Sequence, residues 1–307
     1  MTIAVFGSIN MDVTAYMERL PKPGETLQGR EYRLGLGGKG ANQAVAARKL
    51  GSDVRFICRL GADDFAKPAE RELHSYGVDL SLVAKDPQGA TGIAIINVGE
   101  GGENYISLIG GSNLSMDESD VERGRGALQM ADVLLLQLEV PLEACLKAAA
   151  IVRARGGIVI LDPAPAPKDG LSSDILSQVD IITPNETEAG LILGWQPQSL
   201  EDGLKAAKEL RARGAGTAVV KLGARGLAVA APDVETIIAS FKVTAIDTVA
   251  AGDSFNGGLA HALEQGKSIT EALRYAAACG ALSTTKKGAS AAAPTKQEVE
   301  AFLRKYP

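Results

Sequence analysis

Histidine and cysteine are scarce in this 307-residue chain, with two and three copies respectively. Cys58, Cys145 and Cys279 are odd in number, far apart and free of any C-x-x-C pair. They argue against a disulfide framework or a zinc cluster and fit a reducing, cytoplasmic setting. His74 and His261 cannot build a multi-histidine metal site, and both fall in helical stretches as surface or packed residues. The one tryptophan, Trp195, reads as core. Charge of one sign is not in excess: 32 Lys and Arg against 37 Asp and Glu give −5, with no block of like charge. Nucleic acid and anionic membrane surfaces are therefore unsuited partners. No apolar run approaches the roughly 18 residues of a membrane span, and the first residues carry no basic leader, so a soluble, unprocessed protein is expected.

What is present is an alternation. Apolar runs at 3–6, 54–57, 133–136, 158–161, 181–183 and 218–222 read as buried strands. Between them lie helices at 41–50, 142–155 and 200–213, which stop at Gly51, Gly156 and Gly214. Repeated strand–helix–strand units build a mostly parallel sheet with helices on both faces, an α/β fold spanning 1–307 as a single domain. Two stretches, 13–36 and 92–109 with its turn at 100–104, break this rhythm and read as antiparallel strands of a small sheet. That sheet could be a lid over a ligand, an ordinary edge hairpin or a dimer contact.

Two glycine-rich stretches fail closer inspection. Gly35-Leu36-Gly37-Gly38-Lys39-Gly40 matches G-x-G-x-x-G, but neither the buried strand before it nor the acidic residue after the next strand is in place for a dinucleotide fold. Gly266-Lys267-Ser268 follows a helix and is better read as its C-terminal cap. The stretch 247–258 is more informative. Ala250, Ala251 and Gly252 lead into Asp253 and a helix ending at Gly266, so small residues and unpaired amides meet where an anion could approach. Asp253 could simply cap that helix. A carboxylate beside a phosphate is repulsive, however, and makes better sense as a base that deprotonates an attacking hydroxyl.

With that stretch, the chain resembles the ribokinase branch of the phosphofructokinase-B carbohydrate kinases. The motifs are Gly7-Ser8-Ile9-Asn10-Met11-Asp12, Gly37-Gly38-Lys39-Gly40-Ala41-Asn42-Gln43-Ala44, Gln137-Leu138-Glu139, Thr183-Pro184-Asn185-Glu186-Thr187-Glu188, Gly223-Ala224-Arg225-Gly226 and 247–256, in family order and spacing. The resemblance implies a three-layer α/β/α sandwich with a small β-sheet lid. It implies a sugar site lined by Asn10, Asp12, Gly38, Lys39, Asn42 and Glu139, with Asp253 as base and the amides of Ala251, Gly252 and Asp253 facing the transferring phosphoryl group. Singly, these side chains also fit blander roles: turn formers at Asn10 and Asp12, a helix first turn at Asn42, a solvated charge at Lys39 and a loop residue at Glu139.

The same comparison implies a nucleotide near Lys221, Gly223, Ala224, Gly226, Gly252 and Ala277, with Asn185 and Glu188 beside phosphates and Mg2+. Asn185 and Glu188 also spell a helix capping box. Lys221 and Ala224 stand where members often carry threonine and serine. A site for K+ or another monovalent cation is implied at Asp247, Val249, Ser283, Lys286 and Gly288, largely through backbone carbonyls, with Ala292 where a serine often assists. The implied reaction moves the γ-phosphate of MgATP to O5 of D-ribose, giving ribose 5-phosphate and ADP in a homodimer joined through the lid. Deoxyribose, a nucleoside or another furanose are alternative acceptors, and a non-catalytic sugar sensor is a different class on the same fold.

Overall fold

A strand buried on both sides sends alternate residues to two different cores, and the first strand shows it directly. In β1 (Thr2–Phe6), Ile3 and Val5 join one buried cluster while Ala4 and Phe6 join the other. The computed structural model describes residues 2–101 and 103–306; Gly102, inside the expected 100–104 turn, lies outside the described residues, as do Met1 and Pro307. The small sheet comprises β2 (Asn10–Tyr16), β3 (Glu31–Gly37), β6 (Gly92–Val98) and β7 (Asn104–Ile109). The large sheet adds to β1 the strands β4 (Asp53–Gly61), β5 (Val83–Asp86), β8 (Val133–Gln137), β9 (Ile158–Asp162), β10 (Ile181–Ile182), β11 (Thr217–Lys221), β12 (Gly226–Ala231) and β13 (Val234–Ala239).

The large sheet runs β13-β12-β11-β10-β9-β8-β1-β4-β5, parallel from β11 to β5, with β12 and β13 appended as an antiparallel hairpin at one edge. Burial tracks position. Central β8 is buried at every residue, whereas edge strand β13 alternates between half-buried and exposed. One face is covered by helices Lys39–Lys49, Ala66–Ser75, Ala251–Glu264, Ile269–Ser283 and Lys296–Leu303, and the other by helices that include Leu142–Arg153, Glu186–Leu193 and Leu200–Ala212. The expected helix stops are in place, with Gly51, Gly156, Gly214 and Gly266 all at positive φ.

The small sheet runs β3-β2-β6-β7, and here the expectation of antiparallel pairing needs correction. β2 and β6 pair in parallel, while β2–β3 and β6–β7 are antiparallel. Both central strands leave the same edge of the large sheet, where β1 and β5 end pointing the same way, so they emerge in one direction. The sheet also extends beyond the expected segments, from Asn10 and to Gly37.

Candidate active site

The strand order places a reversal at β1. The chain moves from β1 to β4 on one side and later returns to β8 on the other, so the loops after β1 and β8 diverge and leave a crevice at the strands' carboxyl ends. The first motif fills that crevice. The Ser8 hydroxyl donates to Glu139, which follows β8, and the same carboxylate accepts from the Lys39 amide at 2.9 Å. Gly40 N donates to Ser8 Oγ at 3.3 Å and Ala41 N to Ser8 O at 2.9 Å, so the start of the Lys39–Lys49 helix is stapled to the loop. Only glycine permits this contact: a Cβ on Gly40 would lie 2.6 Å from both Ser8 N and Ser8 O. Gly38, at φ 87, turns the chain from β3 into the helix.

Asn10 and Asp12 lie on β2, where the small sheet meets the body. Asn10 Oδ1 accepts from Asn113 Nδ2 at 2.7 Å, and Asn113 also bonds both backbone groups of Ile9, at 2.9 and 3.0 Å. Asn113 sits in a short 3-10 turn and carries no motif, so sequence reasoning passed it over. Burial, reinforced by Glu139, Asp253 and Glu72, pushes the Asp12 carboxyl up to about 7.

The helix that carries Asp253 starts earlier than the sequence suggests. It spans Ala251–Glu264 with Ala250 as N-cap, at φ 56, a left-handed conformation that no other non-glycine residue adopts among the described residues. Asp253 is thus not a cap but the third helical residue, and its side chain turns away from the amides. It is 5% exposed, accepting from Asn42 Nδ2 and Gln43 Nε2, each at 3.1 Å. The amides of Gly252 and Asp253 have no backbone acceptor among the described residues. Ala251 N, expected to share their role, instead makes a 3.3 Å bond to Thr248 O.

Burial pushes the Asp253 carboxyl up to about 6; Lys39 opposes this, Asp162 adds to it, and the two amide bonds limit it. Lys39 shows the reciprocal effect. Its burial alone would lower its pKa, but Asp253, Asp162, Glu139 and Glu188 around it raise it above the usual lysine value.

Gln43, Gln137 and Asp162 form a buried relay. Gln137 Nε2 donates to Gln43 Oε1 at 2.8 Å, and Gln43 Nε2 donates to Asp162 Oδ2 at 3.0 Å as well as to Asp253. Asp162 also pairs with Lys221 at 3.0 Å. The only available signal for Asp162 was its place as an acidic residue ending a buried parallel strand. At the neighbouring strand ends, Asn185 caps Glu186–Leu193 in a full capping box with Glu188, and Asn185 bridges Lys221. Gly223 and Gly226, both at positive φ, bracket the short turn that carries Ala224. Ala277 lies half-buried on Ile269–Ser283, which packs so closely on the Asp253 helix that a Cβ on Gly280 would sit 3.2 Å from Ala251 O.

The loop before that helix gathers part of the implied cation set. Asp247 accepts from Val249 N and Gly288 N, each at 3.0 Å. Ser283 and Lys286 do not join with their side chains: the hydroxyl bonds Gly280 O at 2.8 Å and the ammonium bonds Glu298 at 2.6 Å. Neither histidine reaches the site. His74 is exposed, and His261 is buried three turns along the helix, 2.8 Å from Ser52 Oγ, with burial lowering its pKa to about 4. Trp195 is half-buried and donates to Glu209 at 2.9 Å, so it is a rim residue more than a core one.

A buried carboxylate beside bare helix amides, at the carboxyl edge of a parallel sheet and under a smaller sheet, defines an α/β phosphoryl-transfer enzyme acting on a small hydroxyl compound. The sequence profile of the pfkB family carbohydrate kinases matches residues 2–296, and the chain belongs to that family. It is 43% identical over 302 residues to a ribokinase of Haemophilus influenzae, covering 98% of each chain. It is 35% identical to a deoxyribokinase of Salmonella typhimurium, covering 99% of each. The solved Arabidopsis thaliana ribokinase complexed with ribose and ATP superimposes with a TM-score of 0.88 at 33% identity, covering 98% of each chain.

Proposed function

We propose that this protein is an ATP-dependent ribose kinase that moves the γ-phosphoryl group of ATP to O5 of D-ribose. The observation that carries the chemistry is Asp253, a desolvated carboxylate oriented by two amides next to two unpaired helix N–H groups. In the transfer, the O5–H bond breaks with its proton passing to Asp253, the O5–P bond forms, and the bond to the leaving oxygen breaks with its electron pair departing on ADP. The Gly252 and Asp253 amides face the phosphoryl oxygens and stabilise their charge without reorganising. Asn10, Asp12, Asn42 and Glu139 supply donors and acceptors that match the sugar hydroxyls, and a sugar lacking one hydroxyl would leave a buried group unpaired.

Ribose is favoured as acceptor by the 43% identity over the full chain, and deoxyribose is the alternative that the 35% relative supports. A coupled ADP assay across ribose, deoxyribose and nucleosides tests the assignment. Ribose should give the highest kcat/KM, and a higher value with any other acceptor overturns the acceptor. No ribose-dependent ATP consumption at all would leave a sugar sensor.

Mg2+ fits the nucleotide side. Glu188 is a largely buried carboxylate at the neighbouring strand end, an oxygen donor of the kind Mg2+ uses together with phosphates and water, whereas Asp162 is already paired with Lys221. Bound there, the ion would neutralise phosphate charge. A monovalent cation fits the Asp247 loop through that carboxylate and nearby peptide oxygens, and would activate by fixing the loop that leads into the anion hole. Among the described residues no helix is long and apolar enough to cross a membrane. The three buried, free cysteines support placing the protein in a reducing cytoplasm.

The Asp253 base works only when ionised, so activity should be lost as pH falls through about 6. Below that point kcat/KM should drop about tenfold per pH unit, and a flat profile at acid pH would count against the base. The lid carries a separate expectation. β7 is exposed along its whole length, including Tyr105 at 62% and Ile106 at 58%. That apolar surface suits a second copy of the chain. Sedimentation should show a dimer for the parent and a monomer for Ile106→Lys; a monomeric parent would refute the pairing.

A further inference from the structure

We infer that Lys221 is a further catalytic residue of the proposed transfer, an ammonium held by Asp162 where it can touch the phosphoryl group in flight. This rests on the reading of Asp253 and its helix amides given above. Lys221 ends β11, and its backbone N–H donates to Pro184 O at 2.8 Å, which fixes the strand end beside Asn185. The side chain is 13% exposed and points inward, with Nζ 3.0 Å from Asp162 Oδ1 and 3.4 Å from the point where a Cβ on Gly252 would stand. A buried cation therefore borders the same residue whose amide is free.

Asp162 does more than neutralise it. Its second oxygen accepts from Gln43 Nε2, and that single nitrogen also donates to Asp253. The tether of the cation and the orienter of the base are thus one hydrogen-bonded unit. A buried ion pair of this kind adds little to folding that an apolar pair would not, so stability alone does not account for it. Charge on a transferring phosphoryl group, in contrast, is stabilised best by a fixed cation that need not move when the charge develops. Glu188, Asp162, Asp253 and Lys39 are charged groups around this point. Lys39 approaches from the sugar side and Lys221 from the nucleotide side.

Steady-state kinetics and ADP titration on Lys221→Met, the double variant Asp162→Asn/Lys221→Met and Asp253→Asn test the inference. Lys221→Met should lose about 100-fold in kcat. Its KM for ribose and its ADP affinity should stay within about threefold, because neither complex contains the migrating group. The double variant removes the buried charge imbalance and guards against a single variant that fails to fold; it should stay as slow as Lys221→Met. A double variant restored to parent kcat would mean that Lys221 only neutralises Asp162, and unchanged kcat in Lys221→Met would equally overturn the role. In both cases an inactive Asp253→Asn leaves the base reading standing, whereas an active one removes that reading itself.

Discussion

Asp253→Asn should bind ribose nearly as the parent does and turn it over about 10³-fold more slowly, the loss associated with removing a positioned base. Shape is conserved in this variant and charge is not. The carboxylate accepts from Asn42 and Gln43 at once, and an amide in its place offers one acceptor and one donor. Neither neighbour is free to flip, since Asn42 Oδ1 accepts from Ser290 at 2.7 Å and Gln43 Oε1 from Gln137. One donor therefore goes unmatched, at a cost of about 1–2 kcal/mol, offset in part by loss of a buried charge. Single-turnover kinetics with calorimetric ribose binding separates the two effects. Turnover within about tenfold of the parent would show that another group takes the proton.

Gly40→Val carries a large structural effect next to the site. A Cβ here meets backbone atoms of Ser8 and Gly7 at 2.6 and 2.7 Å, not the yielding end of a side chain, so the Lys39–Lys49 helix must back away from the β1 loop. Overpacking of this kind costs about 1–3 kcal/mol, and here it is compounded because Asn42 and Gln43 ride on the displaced turn. A displacement near 1 Å is expected to cost about 100-fold in kcat/KM. Thermal melts and kinetics should show both losses. Gly126→Ala, whose Cβ would meet nothing within 4 Å, serves as the silent control. A Gly40→Val enzyme with parent kinetics would show that the staple between Ser8 and the helix does not position the site.

Much of this architecture was legible in the chain because it depends on local rules. Apolar runs of strand length, glycines one residue past a helix, and the capping pair Asn185 and Glu188 each announce themselves within a few positions. The motif residues Asn42, Glu139 and Asp253 lie near one another, Asn42 bonded to Asp253 and both carboxylates close to Lys39. What escaped was set by distance or by exception. Asp162 matters because it meets Gln43, which lies 119 positions away, and no local pattern marks that meeting. Ala250 takes a backbone conformation that a reader expects of glycine, so the helix was expected to begin too late. The parallel pairing of β2 and β6 depends on where β1 and β5 end in space, which neither strand encodes alone.

The two cores also divide the molecule's tasks. The helices bearing Gly38 to Gln43 and Ala250 to Asp253 press on one side of the large sheet, together with Ile269–Ser283. The opposite layer contributes little beyond the turn at Asn185 and Glu188. Substitutions in that far layer, around Ala148, Val152 and Leu210, should therefore shift the melting temperature while turnover is left as it was.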